Sequence, residues 1–392
     1  MLKAADALHA AGYRVRFVTT NHTPWATVTD RAVAASRGWT WQPIDYDRST
    51  ARATYVTTGV RFRLAQSAAR LAGASRVPLF TAIRAYSRVH DELVAAIVSA
   101  PTDFVYGGTT GALAAVAASA ERLRVPYGID LEDFHSGEQT GDGSALVHAL
   151  ARRVEAYALE RASFATASSP MIADAYARSH RLRPIPVHNT FSIAFGEPSS
   201  SAKSLRLYWF SQTLGPGRGL EDVVRALGRL GIPAELHLRA RAIPWYLASL
   251  RAMQREVAPA MTVVHHEPAS PDDMVRLAQG YDAGLATEQI DVLNRRISLS
   301  NKLFTSLAAG VPVVASRTPA QDALARELNG AAFAYDCGDM EGLAAVLRQL
   351  FESAEARRHA ASAAREAATR RWHWEHEADR GALLAAVADA IG

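Results

Sequence analysis

The sequence predicts an α/β protein of two doubly wound domains, each built on a parallel sheet. Three observations carry this. Short apolar runs alternate with amphipathic helical stretches almost throughout the chain. The 392 residues are about 2.6 times the rough size of one domain. A Ser/Pro-rich stretch without pattern, 192–203 (SIAFGEPSSSAK), separates two sets of alternation and reads as a linker. Two such domains in succession leave a cleft between them that can enclose a ligand.

The first set, 1–191, opens with a helix over 2–11, which Gly12 stops. Strands Tyr13–Thr20 and Asp103–Tyr106 follow, then a helix from Thr109 and strand Val125–Asp130. A helix over 144–162 leads to strand Phe164–Ala167. Ser169-Pro170 caps and opens the next helix, and strand Ile185–His188 closes the set. The second set, 204–370, reads as strand 205–210, helix 219–230, strand 234–239, helix 244–256 and strand 261–265. Ser270-Pro271-Asp272-Asp273 is a helix start. Strand Ala283–Ala286, a polar loop of about a dozen residues, helix 301–309 and strand Val311–Ala315 complete the pattern. Residues 371–392 are helical, through Trp372 and Trp374 to Ile391.

Composition narrows the classes. The chain is 49% hydrophobic and 21% charged, ordinary for a globular protein and unlike disordered, collagenous or disulfide-scaffold chains. No apolar run is long enough to span a bilayer, and the N-terminus lacks an apolar signal-peptide core, so a cytoplasmic protein is expected. The single cysteine, Cys337, excludes an internal disulfide and a Cys-based metal cluster. The net charge is +4, and all basic residues but Lys3, Lys203 and Lys302 are Arg. Arg and Ala enrichment fits a GC-rich coding background. The basic surface suits anionic substrates or an anionic membrane face, and is too diffuse for nucleic acid.

The most informative segment is 281–316, YDAGLATEQIDVLNRRISLSNKLFTSLAAGVPVVAS. A strand ends near Ala286, and Ser298-Leu299-Ser300-Asn301-Lys302 opens a helix that stops at Gly310. A helix N-terminus at the carboxyl edge of a parallel sheet offers free N–H groups and partial positive charge to a phosphate. A surface connection capped by Ser is the other reading of the same residues.

This segment resembles the second domain of GT-B fold glycosyltransferases of family 4, in its Asp282-Ala283-Gly284-Leu285 strand and its Ser300–Val314 run. Leu207–Leu227 and His265–Leu285 are similar to the strand–loop–helix and the nucleobase-side loop of that family. The resemblance implies two Rossmann-like domains facing a cleft, a nucleotide-sugar donor, and a glycan, lipid-linked or small-molecule acceptor. It implies no cofactor and no metal, because basic residues and a helix N-terminus neutralise the donor diphosphate. Arg218 falls on the family's loop Lys and can bind phosphate in bidentate fashion. The family's other basic residue is Gln212 here. Of its two carboxylates eight positions apart, the first falls on Ile297 and the second, which bonds the ribose, on Thr305. Glu288 is a replacement candidate on the sugar, or a solvated loop carboxylate.

Tyr127–Glu138 resembles the family's acceptor-side segment, with Glu132 where its His stands. Asp130, Glu132, Asp133, His135 and Glu138 crowd a strand's carboxyl end, which reads as a site rather than a turn. Glu132 and Asp133 are expected to orient the acceptor, with His135 as candidate general base and Asp130 and Glu138 beside them. Gly107 and Gly108, in a turn without the Walker or dinucleotide spacing, are expected to line the cleft. Trp372–Glu377 lacks metal-site spacing and reads as Trp packing; in the family this helix crosses back to the first domain. Val60–Pro78 sets Arg61, Arg63, Arg70 and Arg76 among Phe62, Leu64 and Leu71, so peripheral contact with the inner membrane face is a further expectation, against an ordinary exposed helix.

Family members begin with a strand and Gly-rich loop ahead of the helix that starts here at Met1. The resemblance thus implies that the first domain lacks its first strand and that a segment belongs upstream. The function expected is a retaining glycosyltransferase of bacterial cell-surface synthesis. The alternatives are an impaired or non-catalytic GT-B subunit and a GT-B sugar-nucleotide epimerase.

Overall fold

The computed structural model describes residues 1–138, 144–197 and 203–392. The chain divides into two compact units, Met1–His188 with Glu377–Gly392, and Asn189–His376.

The first unit runs α1 (Leu2–Ala10), β1 (Arg16–Asn21), α2 (Pro24–Ala35), β2 (Thr40–Asp45), α3 (Arg52–Ala72), α4 (Leu79–Tyr86) and α5 (His90–Val98). It continues through β3 (Val105–Gly108), α6 (Leu113–Leu123), β4 (Tyr127–Leu131), α7 (Ser144–Leu159), β5 (Phe164–Ala167), α8 (Pro170–Ala177) and β6 (Ile185–Pro186). Its strands form two separate parallel sheets, β1-β2 and β3-β4-β5-β6. Among the described residues no strand pairs with β1 on the side away from β2, or with β3 on the side away from β4. β2 escaped the sequence reading because Pro43 interrupts its run; it pairs with β1 from Arg16↔Thr40 to Asn21↔Asp45. Gly108 has a packing reason. A Cβ there would stand 2.3 Å from the carbonyl oxygen of Asp130, its partner on β4.

The second unit runs β7 (Leu205–Leu214), α9 (Leu220–Leu230), β8 (Ala234–Ala242), α10 (Pro244–Val257), β9 (Met261–His266), α11 (Met274–Leu277), β10 (Ala283–Ala286) and α12 (Leu293–Ile297). It ends with α13 (Asn301–Ala308), β11 (Val313–Ser316), α14 (Pro319–Glu327), β12 (Ala332–Tyr335), α15 (Met340–Glu352) and α16 (Ala354–Arg370). Its single parallel sheet has the order β12-β11-β10-β7-β8-β9. Leu220, Val223, Val224 and Leu227 recur at helical spacing on α9 and are buried with Leu207, Trp209 and Leu236. The order reverses between β7 and β10, and loops leaving adjacent strands in opposite directions open a crevice at their carboxyl ends.

Two expectations change here. α12 occupies what the sequence reads as plain loop between β10 and α13. Residues 192–197 are docked on the second unit rather than free: Ala194 N–H donates to Ala308 O at 2.9 Å, Gln279 Nε2 donates to Ala194 O at 2.6 Å, and the Arg365 guanidinium bonds Gly196 O. Residues 198–202 of the expected linker lie outside the described residues. The C-terminal helix α17 (Ala382–Ile391) follows a π-helical turn, Glu377–Gly381. Asp379 Oδ1 accepts from the backbone N–H of His188 at 2.8 Å and lies 2.9 Å from its Nδ1, fixing this segment to the end of the first unit's sheet.

Candidate functional site

In the second unit the loop after β7, Gly215–Gly219, meets the loop after β10. Gly219 has φ +71°, and a Cβ would stand 2.5 Å from Thr287 O. The turn thus needs glycine twice, for its left-handed backbone and for the close approach. Thr287 Oγ1 donates to Arg218 O at 2.6 Å, bolting the two loops together. Among the described residues no acid pairs with the half-buried Arg218 guanidinium, so its charge remains available to an anion at the N-terminus of α9.

Glu288 stands at the end of β10. Its Oε1 accepts from Ser300 Oγ at 3.0 Å and from Lys302 Nζ at 2.5 Å. Its Oε2 is buried and has no partner. Burial would raise this carboxyl's pKa, but the Lys302 ammonium and the bonds from Lys302 and Ser300 outweigh it and hold the group ionised below its ordinary value. Ser300 also caps α13, accepting from Lys302 N–H at 3.4 Å.

The expected donor residues therefore fall into groups. Glu288, Ser300 and Lys302 form one bonded cluster, and Lys302 directs its charge to Glu288. Ser298 turns back to Asn294, its hydroxyl 3.1 Å from Asn294 Oδ1, and Leu299 is buried. Asn301 is exposed at the start of α13, and Gln212 is exposed on β7 beside a register shift between Phe210 and Thr213. Thr305 is enclosed rather than presented: none of it is exposed, and its hydroxyl has no partner. Sequence reasoning missed Arg295, on the unforeseen α12. Its Nη1 donates to Gly217 O at 3.3 Å and to both Asp291 oxygens at 2.8 Å, bracing the Gly-rich loop.

In the first unit β4 delivers the acidic cluster to its carboxyl end. Asp130 Oδ1 accepts from Thr166 Oγ1 at 2.7 Å, and Thr166 bonds the Tyr106 hydroxyl at 2.6 Å. Burial pushes the Glu132 carboxyl above its ordinary pKa, reinforced by Asp130 and Asp133 and opposed by the N-terminus and Lys3. His135 is buried, with Nδ1 against Glu138 Oε1 and 3.3 Å from Thr110 Oγ1, while its Nε2 has no partner. Burial works against its protonation, but the Glu138 carboxylate prevails and raises its pKa. Thr109, between Gly108 and this cluster, has φ +76°, costly for a β-branched residue.

Two residues that sequence reasoning missed hold this loop from below. Glu155 Oε1 accepts from Ser136 N–H at 3.0 Å and from the Tyr176 hydroxyl at 2.7 Å. The same hydroxyl lies 3.3 Å from Asp133 O and from His135 N. The available signal was a carboxylate on the buried stripe of α7, among Ala151, Val154 and Ala158.

Trp372 and Trp374 are buried in the second unit. Trp372 stacks on Phe304 at 5.7 Å, and Trp374 N–H donates to Phe191 O at 3.2 Å. Among the described residues no helix is long and apolar enough to cross a membrane.

Comparison with known proteins adds three findings. A family model described as glycosyl transferase-like matches residues 221–381. No curated protein matches the chain. Among solved structures, Alr3699/HepE of Anabaena in complex with UDP shares 15% identity, with TM-score 0.64 over 97% of this chain and 99% of that one. The same protein with UDP-glucose gives 15% and 0.63, over 96% and 99%. A glycosyltransferase from Rickettsia africae shares 11%, with TM-score 0.64 over 100% and 92%. At such identities the likeness shows the fold alone, and that fold is GT-B.

Proposed function

We propose that the chain is a glycosyltransferase that takes a sugar from a nucleotide-sugar donor bound by the second unit. The observation that carries this is the site at the β7/β10 crevice. There Arg218 is presented at a helix N-terminus, and Glu288 keeps one buried oxygen unpartnered beside Ser300 and Lys302. The glycosyl transferase-like match over 221–381 and the UDP and UDP-glucose complexes of a protein with the same fold support it.

In this reading Arg218 and the N-terminus of α9 hold the diphosphate, with no metal required. Glu288 Oε2 accepts a hydroxyl of the donor sugar. Asp133 and Glu132 orient the acceptor, a glycan or lipid-linked sugar in cell-envelope synthesis. The bond from the anomeric carbon to the diphosphate oxygen breaks, and the bond to the acceptor oxygen forms on the same face. The acceptor proton passes to the departing diphosphate, so configuration is retained without a covalent enzyme intermediate.

The test is incubation with UDP-, GDP- and dTDP-sugars, following thermal shift and then donor consumption and the anomer formed. One donor is expected to shift the melting temperature and be consumed, with or without EDTA. A protein that neither binds nor consumes any of them is not a transferase of this kind. One observation favours a second reading, a subunit that keeps the fold without the chemistry: Thr305 stands where a ribose-binding carboxylate is expected. Donor binding without turnover distinguishes it.

A further inference from the structure

α3 is built inside out. An ordinary surface helix buries its large apolar residues and shows its small and polar ones to water. The buried residues of α3 are Thr58, Gly59, Ala65 and Ala69. Its outward face carries Val56 at 51% exposure, Val60 at 48%, Leu64 at 67% and Leu71 at 91%. Positions 56, 60, 64 and 71 lie within one stripe of the helix, less than a quarter-turn wide. In α4, which packs against α3, Leu79 is 37% and Phe80 60% exposed.

The charge around this stripe has one sign. From Arg48 to His90 the sequence contains eight arginines and no Asp or Glu. The arginines divide by their contacts. Arg61 is bound to Asp91 and Glu92, Arg84 to Asp91, and Arg88 to Tyr55 O, so these are structural. Arg52, Arg63 and Arg70 are exposed along one margin of the apolar stripe, with Arg76 in the following turn. Among the described residues none of the four has an acidic partner. The structure also revises the set expected from sequence, since Arg61 is occupied and Phe62 is only half-exposed.

We propose that the α3–α4 face docks the protein on an anionic membrane surface. α3 lies in the interface plane, with Val56, Val60, Leu64, Leu71 and Phe80 entering the headgroup–acyl boundary and Arg52, Arg63, Arg70 and Arg76 on lipid phosphates. A one-signed rim around a contiguous apolar stripe complements an anionic lipid surface. It opposes a second copy of itself, because a two-fold contact through this face sets arginine against arginine. The inference is independent of the donor chemistry, and its test needs no substrate.

The experiment is flotation of the full chain with vesicles of phosphatidylcholine alone and with about a third phosphatidylglycerol, at low and high salt. Binding is expected only to the anionic vesicles and to weaken with salt. Leu64→Glu with Leu71→Glu and, separately, Arg63→Ala with Arg70→Ala are expected to weaken it at least about tenfold, converting roughly 1.4 kcal/mol or more of lost contact. All four positions are exposed, so the melting temperature should hold, and circular dichroism checks it. Equal binding to neutral vesicles, no binding to either, or unaltered binding by both folded variants overturns the proposal. So does a concentration-dependent dimer that Leu64→Glu dissolves in the absence of vesicle binding.

Discussion

Glu288 and His135 show how single residues carry this account, and their titrations run in opposite directions. The folded pKa of Glu288 is depressed, so its pair with Lys302 stabilises the protein above its unfolded value and loses that contribution as pH falls through the folded one. Glu288→Gln, which leaves Lys302 buried without its counter-charge, should cost about 3 kcal/mol near neutrality. Chemical denaturation at several pH values checks this; the gap should start to narrow as pH falls below about 4.3 and close only below the depressed folded value. A gap independent of pH means the pair is not ionic. His135 has a raised folded pKa, so its contact with Glu138 stabilises below about pH 6.5 and fades as pH rises through the folded value. Glu138→Gln should therefore fall short of wild type at pH 6 and approach it at higher pH. A deficit that grows with pH contradicts the assignment.

Elements set where those residues stand, and here the legibility of the sequence is uneven. Two-stranded β1-β2 has only one ladder and two outer edges, whereas β4 is paired on both sides by β3 and β5. Hydrogen exchange should therefore be markedly faster in Arg16–Asn21 than in Tyr127–Leu131, and equal protection contradicts the division into two sheets. The C-terminal segment is held through a buried acid, so Asp379→Ala should destabilise the first unit by about 3 kcal/mol in thermal unfolding. Strands such as Phe164–Ala167 and Ala283–Ala286 were legible to the residue, because short apolar runs bounded by turn formers have few other readings. β2 and α12 were not: Pro43 masks one, and the five residues of the other are too few to show a period. The crowding of ionisable residues over 130–138 at the end of β4 was legible from charge density alone. Its support by Glu155 and Tyr176 was not, since contacts 19 to 43 residues apart leave no local trace.

At the scale of the molecule, each unit brings polar residues to the carboxyl ends of parallel strands. The second brings cations and a half-satisfied carboxylate, the first a cluster of acids around a buried histidine. On the proposed function, the donor belongs to the second unit and the acceptor to the first. The measurement that tests it most directly is isothermal titration of UDP, and of the sugar nucleotide selected by thermal shift, into wild type, Arg218→Ala and Glu132→Gln. Wild type should bind, Arg218→Ala should lose about 10- to 100-fold in affinity, a charged bidentate contact, and Glu132→Gln should bind the donor as wild type does. Equal affinity in wild type and Arg218→Ala, or loss of donor binding in Glu132→Gln alone, contradicts the account.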